Sequence, residues 1–221
     1  MKALIFDFDG VLIESEFAGN AQVARMLTEA GYPTTTEQAM ARFMGLSGAA
    51  FEQAVERWIE APLPTDFWVK RRAEDARVMA EGIDAVAGAV RFVRDLPAPL
   101  PRAIASSSGT PWIRRHLDHI GLADAFGDHV YSGKEHVARG KPNPDLYWHA
   151  AEALGVVITD CVVIEDSPVG ATGALASGAR VIGLCAATHI GPGHEDVLRE
   201  LGVSEIAHDF DQLARLLGLA L

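Results

Sequence analysis

One stretch constrains this chain more than any other: Lys2-Ala3-Leu4-Ile5-Phe6-Asp7-Phe8-Asp9-Gly10-Val11-Leu12. Four apolar residues run straight into two carboxylates. An unbroken apolar run ended by a turn signal suits a strand buried on both faces, as in a parallel sheet. Alternation along an extended chain sends Asp7 and Asp9 one way and Phe6 and Phe8 the other. Gly10 then lets the backbone leave sharply. Two carboxylates this close are costly unless a cation neutralises them or one keeps a proton. They can hold a hard metal ion, divide into nucleophile and acid/base, or do both. A lone Asp-x-Asp can also be an acidic turn that caps the next helix.

The rest of the chain narrows the choice. At 221 residues it can build one substantial core, or a core with a smaller insert. A net charge of −11 argues against nucleic acid or an anionic membrane as a partner. No apolar run approaches the ~18 residues that span a bilayer, and Asp7 comes too early for a secretory leader, so a cytoplasmic setting is expected. Cys161 and Cys185 fall in apolar strand-like runs and read as buried free thiols.

Helical spacing runs from about Ser15 to Ala30, from Thr36 to before Gly45, through Phe51, Val55, Trp58 and Ile59, and from a Thr65-Asp66 cap to Glu81. No strand pattern interrupts this block. After it, strands and helices alternate: strands at Arg102–Ser106, His129–Tyr131, Cys161–Glu165, Arg180–Leu184 and Ser204–Ala207. Helices are expected from Pro111 to Ile120 (capped by Thr110), from Asn143-Pro144-Asp145 to Leu154, over Val169–Ser177 and at the end of the chain. The fold class is therefore α/β: a doubly wound parallel sheet, Rossmann-like, with an inserted all-helical domain and its site at the carboxyl ends of the strands. The expected division is 1–14 with 83–221 as the α/β core and 15–82 as the helical insert. Hinges are expected near Ile13–Ser15 and Gly82–Val86.

Three later segments complement the two aspartates. Ala103-Ile104-Ala105-Ser106-Ser107-Ser108-Gly109 ends a strand in hydroxyls and turn amides, which can hold phosphate oxygens or simply cap a helix. Lys141, in Arg139-Gly140-Lys141-Pro142-Asn143-Pro144-Asp145, sits on a loop stiffened by prolines, where a lysine becomes a fixed charge. Val162-Val163-Ile164-Glu165-Asp166-Ser167-Pro168 is another apolar strand ending in acids. These suit Mg²⁺, which takes oxygen ligands, and also favour the start of the following helix.

Asp-x-Asp, Ser, Lys and Glu-Asp, each just past a predicted strand, resemble in order the four motifs of the haloacid dehalogenase-like superfamily. The helical insert between the first two motifs resembles the cap of its phosphoglycolate-phosphatase and β-phosphoglucomutase-like branch. The resemblance covers the whole chain. It implies a Mg²⁺-dependent phosphatase acting on a small phosphorylated metabolite, such as a sugar or polyol phosphate, through an aspartyl-phosphate. Asp7 would be the nucleophile and Asp9 the general acid/base. Ser106, Ser107 and Lys141 would bind the phosphoryl group. Asp7, Asp166 and the backbone carbonyl of Asp9 would ligate Mg²⁺, with Glu165 supporting the metal. The sequence leaves the oligomeric state open between a monomer and a weak homodimer.

Other readings fit less well. Haloacid dehalogenases resemble this chain at the nucleophile but lack an acid at the position of Asp9. The mutase branch carries a histidine where this chain has Gly19, and a cap-loop arginine that Gly45-Leu46-Ser47-Gly48 does not offer. A phospho-acceptor switch resembling a receiver domain would place its acidic pair before the acceptor and needs no cap. Candidate substrate-selecting residues of the insert are Asn20, Arg42, Met44 and the basic run Lys70-Arg71-Arg72, the run also being readable as a solvated face. Met44, Phe51, Trp58 and Trp68 suit packing as well. The pairs His116/His119 and His189/His194 are read as having no oxygen or sulfur company, and so as unsuited to a metal.

Overall fold

The computed structural model describes residues 1–43, 46 and 48–220, with backbone alone at 48–50. In chain order the elements are β1 (Ala3–Phe6), α1 (Ser15–Glu29), α2 (Thr36–Phe43), α3 (Gly48–Ile59), α4 (Phe67–Glu81), α5 (Ala89–Asp95), β2 (Arg102–Ser106) and α6 (Thr110–His119). There follow β3 (Val130–Ser132), α7 (Asp145–Ala153), β4 (Cys161–Glu165), α8 (Pro168–Ser177), β5 (Arg180–Leu184), α9 (His194–Glu200), β6 (Glu205–Ala207) and α10 (Phe210–Leu217). The chain divides into two compact units, 1–14 with 83–221, and 15–82. Among the described residues no helix is long and apolar enough to cross a membrane.

In the first unit the strands form one sheet in the order β3-β2-β1-β4-β5-β6, every pairing parallel. β1 lies at the centre, with β2 on one side and β4 on the other, at the point where the winding reverses direction. In open α/β sheets this is where ligands bind, beyond the carboxyl ends of the strands.

Strand alternation sorts the core into two layers. Ala3 and Ile5 of β1 pack with Ala103, Ala105, Cys161 and Val163 against Tyr147, Ala150, Ala171 and Ala174 of α7 and α8. On the other face Phe6 meets Phe92 of α5 and Phe126 edge-on, and Phe92 meets Phe210 of α10. The same parity carries Asp7, two residues beyond Ile5, and Glu165, two beyond Val163, toward the α7 and α8 side. The register pairs Ile5 with Val163 and Phe6 with Ile164.

Helix α8 lies close to this layer because of two glycines one turn apart. A Cβ at Gly170 would sit 2.1 Å from the Glu165 carboxylate, and one at Gly173 would sit 2.9 Å from the Asn143 carbonyl oxygen. The loop that carries Lys141 is thus packed against the helix that follows the acidic pair.

Among its described residues, every regular element of the second unit is a helix. Leu27 and Val55 are fully buried at its centre, with Phe43, Phe51 and Phe67 in ring contact around them. The Trp58 indole donates to Thr34 Oγ1 at 2.9 Å. The two passages between units are paired where they leave the first unit: Val86 N–H donates to the Leu12 carbonyl and Glu14 N–H to that of Asp84.

Several local expectations need correction. Thr110 does not cap α6; Gly109 takes the cap position, and the free amide of Thr110 is satisfied by the Glu135 carboxylate at 2.8 Å. Asp66 precedes α4 without a capping hydrogen bond, its carboxylate being engaged by Lys70 at 2.9 Å. Strand β3 is shifted one residue, to Val130–Ser132. Helices α5 and α9 carry no sequence mark; each has only seven residues and follows a left-handed glycine, Gly88 or Gly193, rather than a capping side chain. Both cysteines are free, but Cys185 is only half-buried.

The α8 contact is testable. Gly173→Ala forces a methyl group onto backbone, which cannot retreat as a side chain would, and should destabilise the protein by about 1–3 kcal/mol in urea denaturation. Unchanged stability would show that the loop and helix can separate freely.

Candidate active site

The carboxyl ends of β1, β2 and β4 bring the sequence-marked residues together. Asp7 continues β1 by one residue, its amide bonded to the Ile164 carbonyl at 2.9 Å. Glu165 ends β4 and Asp166 follows it. One oxygen from each of Asp7, Glu165 and Asp166 lies within 4.8 Å of the others, and all three residues are buried.

Lys141 closes the cluster. Its side chain is 3% exposed, and Nζ lies 2.7 Å from Asp7 Oδ1 and 2.6 Å from Glu165 Oε1. The loop is held by Arg139, whose guanidinium grips the Asp145 carboxylate with two 3.0 Å bonds, and by Asn143, which donates to the Gly140 carbonyl. Tyr147, one turn into α7, donates its hydroxyl to Glu165 Oε1 at 2.7 Å. The Ser167 hydroxyl reaches Glu165 Oε2 at 3.2 Å. Glu165 is therefore held from both oxygens.

The charges do not balance. Three carboxylates meet, and the Lys141 ammonium lies between two of them. Burial pushes the Asp7 carboxyl well above the usual range, and the Glu165 charge adds to this. Burial works against the Lys141 charge, but Asp7 and Glu165 outweigh it and hold its pKa up, so the lysine stays protonated. Burial, then the Glu165 charge, raises Tyr147 well above its ordinary value, which keeps it a neutral donor.

Asp9 is held apart from this cluster. Its Oδ2 accepts from the Ser108 hydroxyl at 2.6 Å and the Ser106 hydroxyl at 3.2 Å, and its Oδ1 from the Trp112 indole at 3.1 Å. Gly10, at φ 78°, turns the chain away, and its amide closes the turn on the Ile13 carbonyl. A Cβ at Gly10 would sit 2.1 Å from Asp166 Oδ2 and 2.8 Å from His189 Cε1, so glycine is required on conformational and steric grounds together.

Asp7, Glu165, Asp166 and Lys141 thus meet, with Asp9 and Ser106 bonded to each other beside them. Ser107 is exposed, and Ser108 rather than Ser107 reaches Asp9. Trp112 and Tyr147 were not marked by the sequence; both lie within one turn of a helix start that follows a marked loop, which is the signal that could have found them. The reading of His189 and His194 needs correction: His189 Nε2 is 3.0 Å from Asp166 Oδ2, and His194 Nε2 is 2.5 Å from the Asp166 carbonyl oxygen. Both follow β5, whose carboxyl end borders β4, so position past a strand end would have been a better guide than residue spacing.

In the helical unit the candidate selectors make local contacts. Asn20 donates to the Glu16 carbonyl at 2.9 Å, and the Arg42 guanidinium stacks 3.9 Å above the Trp58 ring. Lys70 and Arg71 pair along α4 with Asp66 and Asp75. Met44 lies outside the described residues.

Comparison with known proteins gives this geometry a family. The chain is 28% identical over 193 residues to the 6-phosphogluconate phosphatase of Escherichia coli K12, covering 87% of this chain and 86% of that one. It is 29% identical over 214 residues to hexitol phosphatase A of the same strain, covering 96% and 93%. In structure it resembles a haloacid dehalogenase family hydrolase of Deinococcus radiodurans R1 that was solved with bound phosphate and sodium. The TM-score is 0.86 at 32% identity, over 99% of this chain and 95% of that one. The model of the haloacid dehalogenase-like hydrolases matches residues 1–178. By that match, over most of its length, the chain belongs to the haloacid dehalogenase-like hydrolases, a family of enzymes.

Proposed function

We propose that this protein is a Mg²⁺-dependent phosphatase that hydrolyses a small phosphate monoester, a sugar or polyol phosphate, through an aspartyl-phosphate formed on Asp7. The observation that carries this reading is the buried meeting of Asp7, Glu165, Asp166 and Lys141 at the strand ends. The substrate class rests on the sugar-acid and hexitol phosphatases to which the chain is similar.

The cluster fits a divalent cation, since three buried carboxylates facing one ammonium are short of positive charge and offer the hard oxygen ligands Mg²⁺ prefers. Asp7, Asp166 and the main-chain carbonyl of Asp9 would hold it, while Glu165, already engaged by Lys141, Tyr147 and Ser167, would support them. When bound, the ion offsets charge on the phosphoryl oxygens and on the nucleophile. Lys141 contributes a second fixed positive charge that meets the phosphoryl group without reorganising.

Asp7 attacks phosphorus, and the ester oxygen leaves with a proton from Asp9. Asp9 then takes a proton from water as its oxygen attacks the aspartyl-phosphate, returning the Asp7 carboxylate and releasing inorganic phosphate. Ser106 and Ser108, at the end of β2, have hydroxyls at the right rim to orient Asp9 and phosphoryl oxygens. Residues 15–82 would act as a cap that selects the ester, and the setting would be cytoplasmic.

Phosphate release over a panel of sugar and polyol phosphates, with Mg²⁺ and no bisphosphate activator, tests the reading. Asp7→Asn should lower turnover on the order of a thousandfold or more while the protein stays folded. Turnover within about tenfold of wild type would refute the nucleophile, and isomerised sugar phosphate without release would replace phosphatase by mutase.

The raised Asp7 carboxyl gives a second test. A group whose pKa is raised on folding contributes stability at low pH and loses it as pH climbs through the folded value. EDTA-treated protein should therefore lose stability as pH rises above the ordinary aspartate range. Saturating Mg²⁺, or Asp7→Asn, should flatten that slope in urea titrations. An unaltered slope in Asp7→Asn would remove Asp7 as its source.

A further inference from the structure

His189 and His194 both turn a ring nitrogen toward the same residue, Asp166. β5 pairs with β4 so that Gly183 lies beside Glu165, and the segment 185–193 then passes the end of β4. His189, 4% exposed, meets the side chain of Asp166 at Oδ2, and His194, the first residue of α9, meets its main-chain carbonyl. The rings stand 6.4 Å apart and nearly perpendicular, so they approach Asp166 from different directions. A carbonyl oxygen can only accept, so His194 must carry its proton on Nε2. A cation-holding carboxylate is likewise acceptor-only, which sets the same tautomer for His189.

We propose that these two imidazoles are positioning residues for Asp166 and set the affinity with which the acid cluster takes up its divalent cation. This inference rests on the metal reading above. The first loop comes close to this pair, since a Cβ at Gly10 would sit 2.1 Å from Asp166 Oδ2 and 2.8 Å from His189 Cε1. The segment that carries His189 is itself moored one residue earlier. Thr188 donates its amide at 3.0 Å and its hydroxyl at 2.6 Å to the Glu14 carboxylate. Asp166 is thus oriented before any cation arrives. Each carboxylate oxygen has two acceptor sites, so the bond to His189 leaves capacity for the ion. Hydrogen bonds to ligating carboxylates commonly tune metal affinity in this way.

Calorimetric Mg²⁺ titration of the metal-stripped protein tests this, with the Mg²⁺-induced rise in Tm as a second readout. Wild type is compared with Asp166→Asn, His189→Phe, His189→Gln and His194→Leu. His189→Phe should weaken Mg²⁺ binding about tenfold or more, and His194→Leu by roughly threefold or more, whereas His189→Gln, which keeps an N–H near the same place, should stay within about threefold of wild type. His194 is only partly buried, so its variant reports even if His189→Phe fails to fold. If wild type binds Mg²⁺ and Asp166→Asn does not, but the histidine variants bind like wild type, the positioning role is overturned and the metal reading stands. If His189→Gln binds as weakly as His189→Phe, the hydrogen bond is not what matters, and the role is again overturned. If wild type itself binds no Mg²⁺, both readings fall.

Discussion

Everything at the strand ends is organised by a shortage of positive charge. Asp7, Glu165 and Asp166 are buried together, and among the described residues Lys141 supplies the ammonium that pairs with Asp7 and Glu165. Isolated in such a place, any of the three carboxylates would take up a proton. The protein fixes them with hydrogen bonds, and burial beside Glu165 holds the Asp7 carboxyl well above its usual range. A site held in that condition favours a divalent cation and an electron-poor phosphorus. It is destabilised when both are absent, and burying charge for function at a cost in stability is common in active sites.

The architecture that sustains this condition is simple in origin. Parallel strands place their carboxyl ends at one rim, and parity then decides which side chains share a face. Asp7 inherits its direction from Ala3 and Ile5, and Glu165 from Cys161 and Val163. Both therefore look toward the layer in which α7 contributes Tyr147 and the loop before it contributes Lys141. Asp166, one residue past the strand, finds its other partners in the segment after β5. One pair of adjacent acids thus draws on two different segments of the chain, 141–147 and 189–194.

That division explains how much was legible in the sequence. β1, β2, β4 and β5 carry uninterrupted apolar runs ended by polar residues, so their positions and the residues at their tips could be read directly. Asp7, Asp9, Ser106, Glu165 and Asp166 stand at or just past such tips, and Lys141 is marked by the prolines of its loop. What could not be read depends on packing between segments distant in the chain. Tyr147 reads as a core aromatic until Glu165 is seen beneath it. Trp112 reads as a helix residue until its indole is found on Asp9. His189 and His194 show no oxygen or sulfur company in the sequence, since nothing in a one-dimensional spacing shows that β5 returns beside β4. The helix caps differ for two reasons: Glu135, distant in the chain, satisfies the Thr110 amide, whereas Lys70, one turn on, engages Asp66.

Gly10 and Gly170 carry a final consequence. Each lies against an acid of the β4 tip, one on Asp166 and the other on Glu165, at separations that leave no space for even a methyl group. Neither has a functional group to offer chemistry, yet exchange of either would displace a carboxylate from the cluster. Tolerance to substitution in these loops is therefore governed by volume as strictly as by reactivity, and inert positions would be as unforgiving as the acids they touch.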